Sequence, residues 1–99
     1  MHDAPKNADA ANAEVLALKC LGWLVANEEL LPVFLGSTGA SEGDLRTQAG
    51  DPVFLGAVLD FVLMDDAWVL AFCEAEGLKG DYVMRARQVL PGGEQTNWT

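Results

Sequence analysis

At 99 residues, 51% of them hydrophobic and 21% charged, the chain has room for one domain around one hydrophobic core and lacks the composition of a disordered polymer. Fifteen acidic residues against six basic ones give a formal charge of -9, which repels polyphosphates and anionic bilayers and argues against a nucleic-acid or membrane role. Two cysteines, Cys20 and Cys73, without C-x-x-C spacing indicate neither a disulfide framework nor a zinc ribbon, and they fit a reducing cytoplasm.

Residues 1–8 are polar, have no apolar run of the kind a signal peptide needs, and are expected to be disordered; residues 9–91 form the domain and 92–99 a tail. The first helix is predicted near Asp9 to Ala26, with Ala13, Leu16, Ala17, Cys20, Leu21, Trp23 and Leu24 on one broad apolar face. Asn27 is suited to cap a second helix that runs through Leu35 and ends where Gly39 takes the left-handed conformation. Ser41 and Asp44 have the spacing of a capping box, which starts a short third helix that stops at Gly50. Asp51-Pro52 is the strongest start signal in the chain: a capping carboxylate followed by proline where a missing N–H costs nothing.

The helix that follows, Val53 to Met64, is apolar almost all round apart from Gly56 and Asp60, so it is expected at the centre with the others packed about it. A fifth helix, Ala67 to Glu76, is capped by Asp65 or Asp66 and ended by Gly77. A sixth, about Asp81 to Leu90, places Val83, Ala86, Val89 and Leu90 on one side and pairs Asp81 with Arg85 one turn later. The apolar window 52–73 is interrupted by Asp60, Asp65 and Asp66, each costing roughly 2.5 to 3.5 kcal/mol at a bilayer centre, so it reads as two buried helices and no membrane span. With no alternation of period two, the fold is all-α: a compact single-domain bundle of five to six short helices with a central apolar helix near 52–64.

Several segments together resemble a family of short bacterial proteins, domain of unknown function 3572. They are Ala17-Leu18-Lys19-Cys20-Leu21-Gly22-Trp23-Leu24, the run from Phe34 through Thr38-Gly39 to Leu45-Arg46, Asp51-Pro52-Val53-Phe54-Leu55 to Leu59-Asp60-Phe61, and Pro91-Gly92-Gly93 with Trp98. The resemblance spans residues 13–98; Ala40 stands where a Leu is expected, a departure that touches packing alone. It implies small size, a helical fold and a bacterial cytoplasmic setting, and it brings no activity or catalytic residue.

Few residues are equipped for chemistry. His2 is the one histidine and Tyr82 the one tyrosine, so no triad can be assembled, and the thiols of Cys20 and Cys73 fall on apolar faces where burial disfavours the thiolate. The carboxylates Asp60, Asp65, Asp66, Glu74 and Glu76 form the densest acidic face, but without EF-hand spacing they read as caps and solvated charge before they read as ligands of Mg or Ca. Asp60, isolated on the most apolar helix, either reaches solvent beside Gly56 or pairs with an arginine. The two serines, Ser37 and Ser41, lack the Asp-Ser-Leu context of an acyl carrier, and the final Asn97-Trp98-Thr99 matches a glycosylation sequon that has no use inside a cell.

A second apolar line on helix one, Val15, Leu18, Gly22 and Val25, stands away from the core face and is either covered from within the chain or open as a partner surface. Trp98, past a Gly-Gly hinge, either folds back as an anchor or remains a recognition element. Together these features favour a non-enzymatic cytoplasmic protein-interaction module or small regulator whose acidic surface selects a basic partner, needing no metal or cofactor. The alternatives are a structural homodimer or subunit of a complex, and an acidic carrier or metal-dependent enzyme.

Overall fold

A computed structural model describes the backbone of residues 4–90 and the side chains of residues 11–90; the tail 92–99, with Trp98, lies outside the described residues. Six helices and no strand occur among the described residues: α1 Ala4–Ala26, α2 Leu30–Thr38, α3 Glu42–Gln48, α4 Pro52–Leu63, α5 Asp66–Glu76 and α6 Asp81–Val89. The all-α single domain with a central apolar helix is thus what the chain forms. α1 begins at Ala4, upstream of the Asp9 start and within the stretch expected to be disordered. Its opening residues include Ala4, Ala8 and Ala10, alanine being the best helix former, and Pro5 falls in the first turn, where its missing N–H has no partner to lose.

The turns follow the side-chain chemistry. Asn27 Oδ1 accepts from the amides of Glu29 and Leu30, both at 3.1 Å, so it holds the entrance to α2 although the helix proper starts at Leu30. α2 ends at Gly39, whose φ of 77° is the left-handed conformation glycine adopts at least cost, and Gly77 (φ 70°) closes α5 in the same way. The capping box at α3 is complete: the Asp44 amide donates to Ser41 Oγ at 3.2 Å, and the Ser41 amide donates to the Asp44 carboxylate at 3.0 Å. Asp51 accepts from the Val53 amide at 3.0 Å at the start of α4, and Asp65, not Asp66, caps α5 by accepting from Ala67 at 2.8 Å.

The core lies between α1 and α4, which pack against each other; α2 lies on α1, α5 on α4, and α6 against both. α4 buries Phe54, Leu55, Gly56, Val58, Leu59, Phe61 and Val62, and α1 contributes Ala13, Ala17, Cys20, Leu21 and Leu24. Edge-to-face contacts join Phe34 to Phe54 and Phe61, at centroid separations of 6.2 and 5.2 Å, and Phe61 stacks on Trp68 at 4.8 Å. Trp23 meets Phe72 edge-on at 5.8 Å and so ties α1 to α5.

Two packing expectations are corrected. Val89, expected on the inner side of α6 with Val83, Ala86 and Leu90, is exposed, because at about 100° per residue it lies toward the edge of that stripe while Leu90 turns inward to close the core. Gly56 is buried and does not mark a strip open to solvent. Ala40 is half-buried against the core, so the smaller side chain at that place still packs. Among the described residues no helix is long and apolar enough to cross a membrane.

Candidate interaction surface

α1 is apolar on two opposite sides, and the bundle covers one of them. Ala17, Cys20 and Leu24 have no exposed surface, whereas Val15 is 51% exposed, Leu18 43% and Val25 47%. At about 100° per residue Val15, Leu18, Gly22 and Val25 cluster on the side of α1 facing away from Ala17, Cys20 and Leu24, and Ala11 joins them. A Cβ added to Gly22 would meet nothing within 4 Å, so the face stays open at its middle. No neighbouring helix among the described residues takes these three side chains out of solvent; the Trp98 tail, the other cover considered from sequence, lies outside the described residues. Glu14, half-buried, and exposed Lys19 are the charged residues bordering the strip.

At its C-terminal end the strip runs into a groove of about 570 Å³ among α1, α2 and α3, lined by Val25, Leu31, Leu45, Glu42 and Arg46. On another side of α1, Leu16 and Ala13 border a groove of about 590 Å³ against Tyr82, Arg85 and Val89 of α6. The Arg85 guanidinium lies 5.6 Å from the Tyr82 ring centroid and pairs with Asp81 at 3.3 Å, as expected from the spacing, with both partners of that pair well exposed. Among the described residues neither groove is lined by a cysteine or a histidine.

The acidic residues do not form one site. Asp60 is both exposed and paired: Arg87 grips its carboxylate with two nitrogens, Nη2 donating to Oδ2 at 2.9 Å and Nε donating to Oδ1, while Nη1 reaches the Leu90 carbonyl at 3.5 Å. The Arg87 stem is largely buried, so this fork clamps α6 to α4. Asp65 is committed to its cap, Asp66 lies exposed in the first turn of α5, and Glu74 and Glu76 lie exposed in its last turns, where the helix dipole disfavours negative charge. Among the described residues no three His, Cys, Asp or Glu side chains come together as metal ligands.

The two thiols are free and buried. Burial pushes Cys20 up to about 12, with the neighbouring Cys73 adding to the rise. Cys73 is also raised, by burial first and by the Asp81 charge second, and its Sγ donates to the Lys79 carbonyl at 3.6 Å. Both are held as neutral thiols, which is the packing role expected of them. Ser41, the serine next to a helix start, has its hydroxyl engaged by Asp44.

The pairing of Asp60 with Arg87 in particular was not readable in advance, since 27 positions separate them and arginine was known only as a class of partner. Exposure of Tyr82, Met84 and Val89 on α6 was likewise unsignalled, because it depends on which side of α6 meets α1.

The fold defines a small all-helical domain whose longest helix carries an apolar ridge that no helix among the described residues covers. The chain belongs to the protein of unknown function family DUF3572, whose model matches residues 10–93. No curated protein and no solved structure matches it.

Proposed function

We propose that this protein is a non-enzymatic, cytoplasmic protein-interaction module that works by presenting the outer face of α1 to another protein surface. The observation that carries this reading is the exposure of Val15, Leu18 and Val25 on one side of a helix whose other side is fully packed. Scattered apolar residues are ordinary on a protein surface, but a ridge four turns long costs solvation along its whole length unless something covers it. Protonated, buried thiols and a serine committed to capping speak against nucleophilic chemistry.

The rest of the surface sets the company the module keeps. Twelve acidic residues against five basic ones between residues 11 and 90 steer polyanions away and a basic partner in. Glu74 and Glu76 add to this field from a helix end where they do not help the fold. The test is isolation of the protein with its companions from its own cells at low salt, wild type beside Leu18→Glu. Companions retained by the wild type and lost from the variant support the reading. Their association rate should fall steeply between about 0.05 and 0.3 M salt if charge steers them. An identical set of companions on both proteins would refute the α1 face as the contact.

A further inference from the structure

We propose that the outer face of α1 is the contact between two copies of this chain, with the two α1 helices side by side and parallel about a twofold axis. The proposal rests on the reading of that face as an interaction surface and names its occupant.

The first argument is periodicity. Ala11, Val15, Leu18, Gly22 and Val25 follow one another at intervals of four, three, four and three, all five are exposed, and all five are apolar or small. That spacing keeps one narrow seam turned outward, just as Ala13, Ala17, Cys20 and Leu24, at intervals of four, three and four, keep a seam widened by Leu21 turned toward the core. Gly22 and Ala11 narrow the ridge, so a second helix can approach closely between the larger Val15, Leu18 and Val25.

The second argument is charge. In this register Val15 and Gly22 take the a positions and Leu18 and Val25 the d positions, which puts Glu14 at a flanking g and Lys19 at the following e. Five residues separate them, too many for a pair within one helix, which needs three or four. Among the described residues the ion pairs are Asp81–Arg85 and Asp60–Arg87, so Glu14 and Lys19 are spent on neither. Between parallel helices in register a g position reaches the next e position of the opposite helix. Glu14 then meets Lys19 of the second copy, and the twofold axis makes the reciprocal pair. Antiparallel helices would set e beside e, with Lys19 close to Lys19 of the second copy. The ridge is therefore locally neutral and self-complementary, and this short-range match has to overcome the longer-range repulsion between two chains of charge -9, which salt screens.

The test combines sedimentation equilibrium of the full chain with one introduced thiol. Cys20 and Cys73 are buried, so the thiol of Val25→Cys is the accessible one under mild copper-catalysed air oxidation. A parallel pair brings the two copies of position 25 together and gives a disulfide-linked dimer from this single variant. An antiparallel pair sets position 25 against position 11, so that cross-linking requires Ala11→Cys mixed with Val25→Cys. The expected result is a reversible dimer and the single-variant cross-link. The Kd should rise about tenfold in Glu14→Lys, and recover to within about threefold of wild type in the double variant Glu14→Lys/Lys19→Glu. Recovery in the double variant is a result that simple damage to the fold cannot produce. A wild-type chain that stays monomeric to about 1 mM, a cross-link only in the mixed pair, or a double variant no better than the single one would each overturn the proposal. If the chain is monomeric yet loses a different, basic protein on Leu18→Glu, the dimer falls and the interaction module stands; if Leu18→Glu changes no association of any kind, both fall.

Discussion

α4 and α1 both carry apolar residues round more of their circumference than a single buried stripe requires, and they are treated differently. α4 is enclosed: α1, α5 and α6 pack on it, and from Phe54 to Val62 Asp60 alone is exposed, the rest being buried or half-buried. α1 is covered along one side by α2, α4 and α6, and its far side keeps Val15, Leu18 and Val25 in solvent. Apolar content alone therefore does not separate a helix at the centre from a helix with one apolar side left exposed. What separates them is what borders the second apolar side. Asp60 of α4 is answered within the chain by Arg87, whereas Glu14 and Lys19 of α1 take part in neither ion pair found among the described residues.

The comparison is most easily broken at its buried end. Phe61, 2% exposed and in ring contact with Phe34 and Trp68, joins α4 to α2 and α5. Phe61→Ala should cost about 3 to 5 kcal/mol by thermal or urea unfolding, a large part of the stability of a domain this size. A melting temperature within a few degrees of wild type would remove α4 from the centre.

Within α1 the two faces should give opposite answers to the same substitution. Leu24→Ala, on the fully buried side, should cost about 2 to 5 kcal/mol, and Leu18→Ala, measured where the chain is dilute, less than about 0.5 kcal/mol. Equal losses in urea unfolding would mean that both sides of α1 are packed within one chain.

A smaller effect tests the way α4 is launched. Asp51→Ala removes the oxygen that accepts from Val53 and should cost about 1 kcal/mol, while Asp51→Asn, which keeps that acceptor, should recover most of it. Helical circular dichroism through a urea series reads both.

The smallest effect under ordinary conditions is on pH. The Cys20 thiol ordinarily loses its proton near 9.0, and the folded chain holds it up to about 12. The contribution of this group is therefore fully present below about pH 9 and is lost as pH rises from there toward 12, because the unfolded chain releases a proton that the folded chain keeps. Urea midpoints should be level with respect to this thiol up to pH 9 and should decline above it, and Cys20→Ala should flatten that decline. An unaltered slope in the variant would place Cys20 outside the inner face of α1.

Much of this architecture was legible because local chemistry and global packing agree. Ser41 with Asp44, Asp51 before Pro52, Asp65 before Ala67, and Gly39 and Gly77 each mark a helix end through hydrogen bonds or backbone freedom within a few residues, and such signals survive without knowledge of the rest of the chain. The second line on α1 was visible as a line, since it needs only the helical repeat. Whether anything covered it was not, because that depends on where α2 and α6 cross α1. Asp60 with Arg87 and the outward turn of Val89 were illegible for the same reason: each is fixed by the way α6 lies across α1 and α4. Two of the acidic residues have partners that composition does not reveal: Asp65 caps α5 and Asp60 pairs with Arg87.

The central claim is that one side of α1 holds the fold and the other holds a second chain, and the dependence of melting temperature on protein concentration tests it most directly. Association of folded chains stabilises them by mass action, so the wild type should melt higher as concentration rises from about 1 μM to about 500 μM. Leu18→Glu should melt at one temperature throughout, equal to the dilute wild-type value, because a carboxylate cannot be desolvated on that ridge without a counter-charge. A wild-type melting temperature independent of concentration would contradict the account, as would Leu18→Glu melting many degrees below dilute wild type.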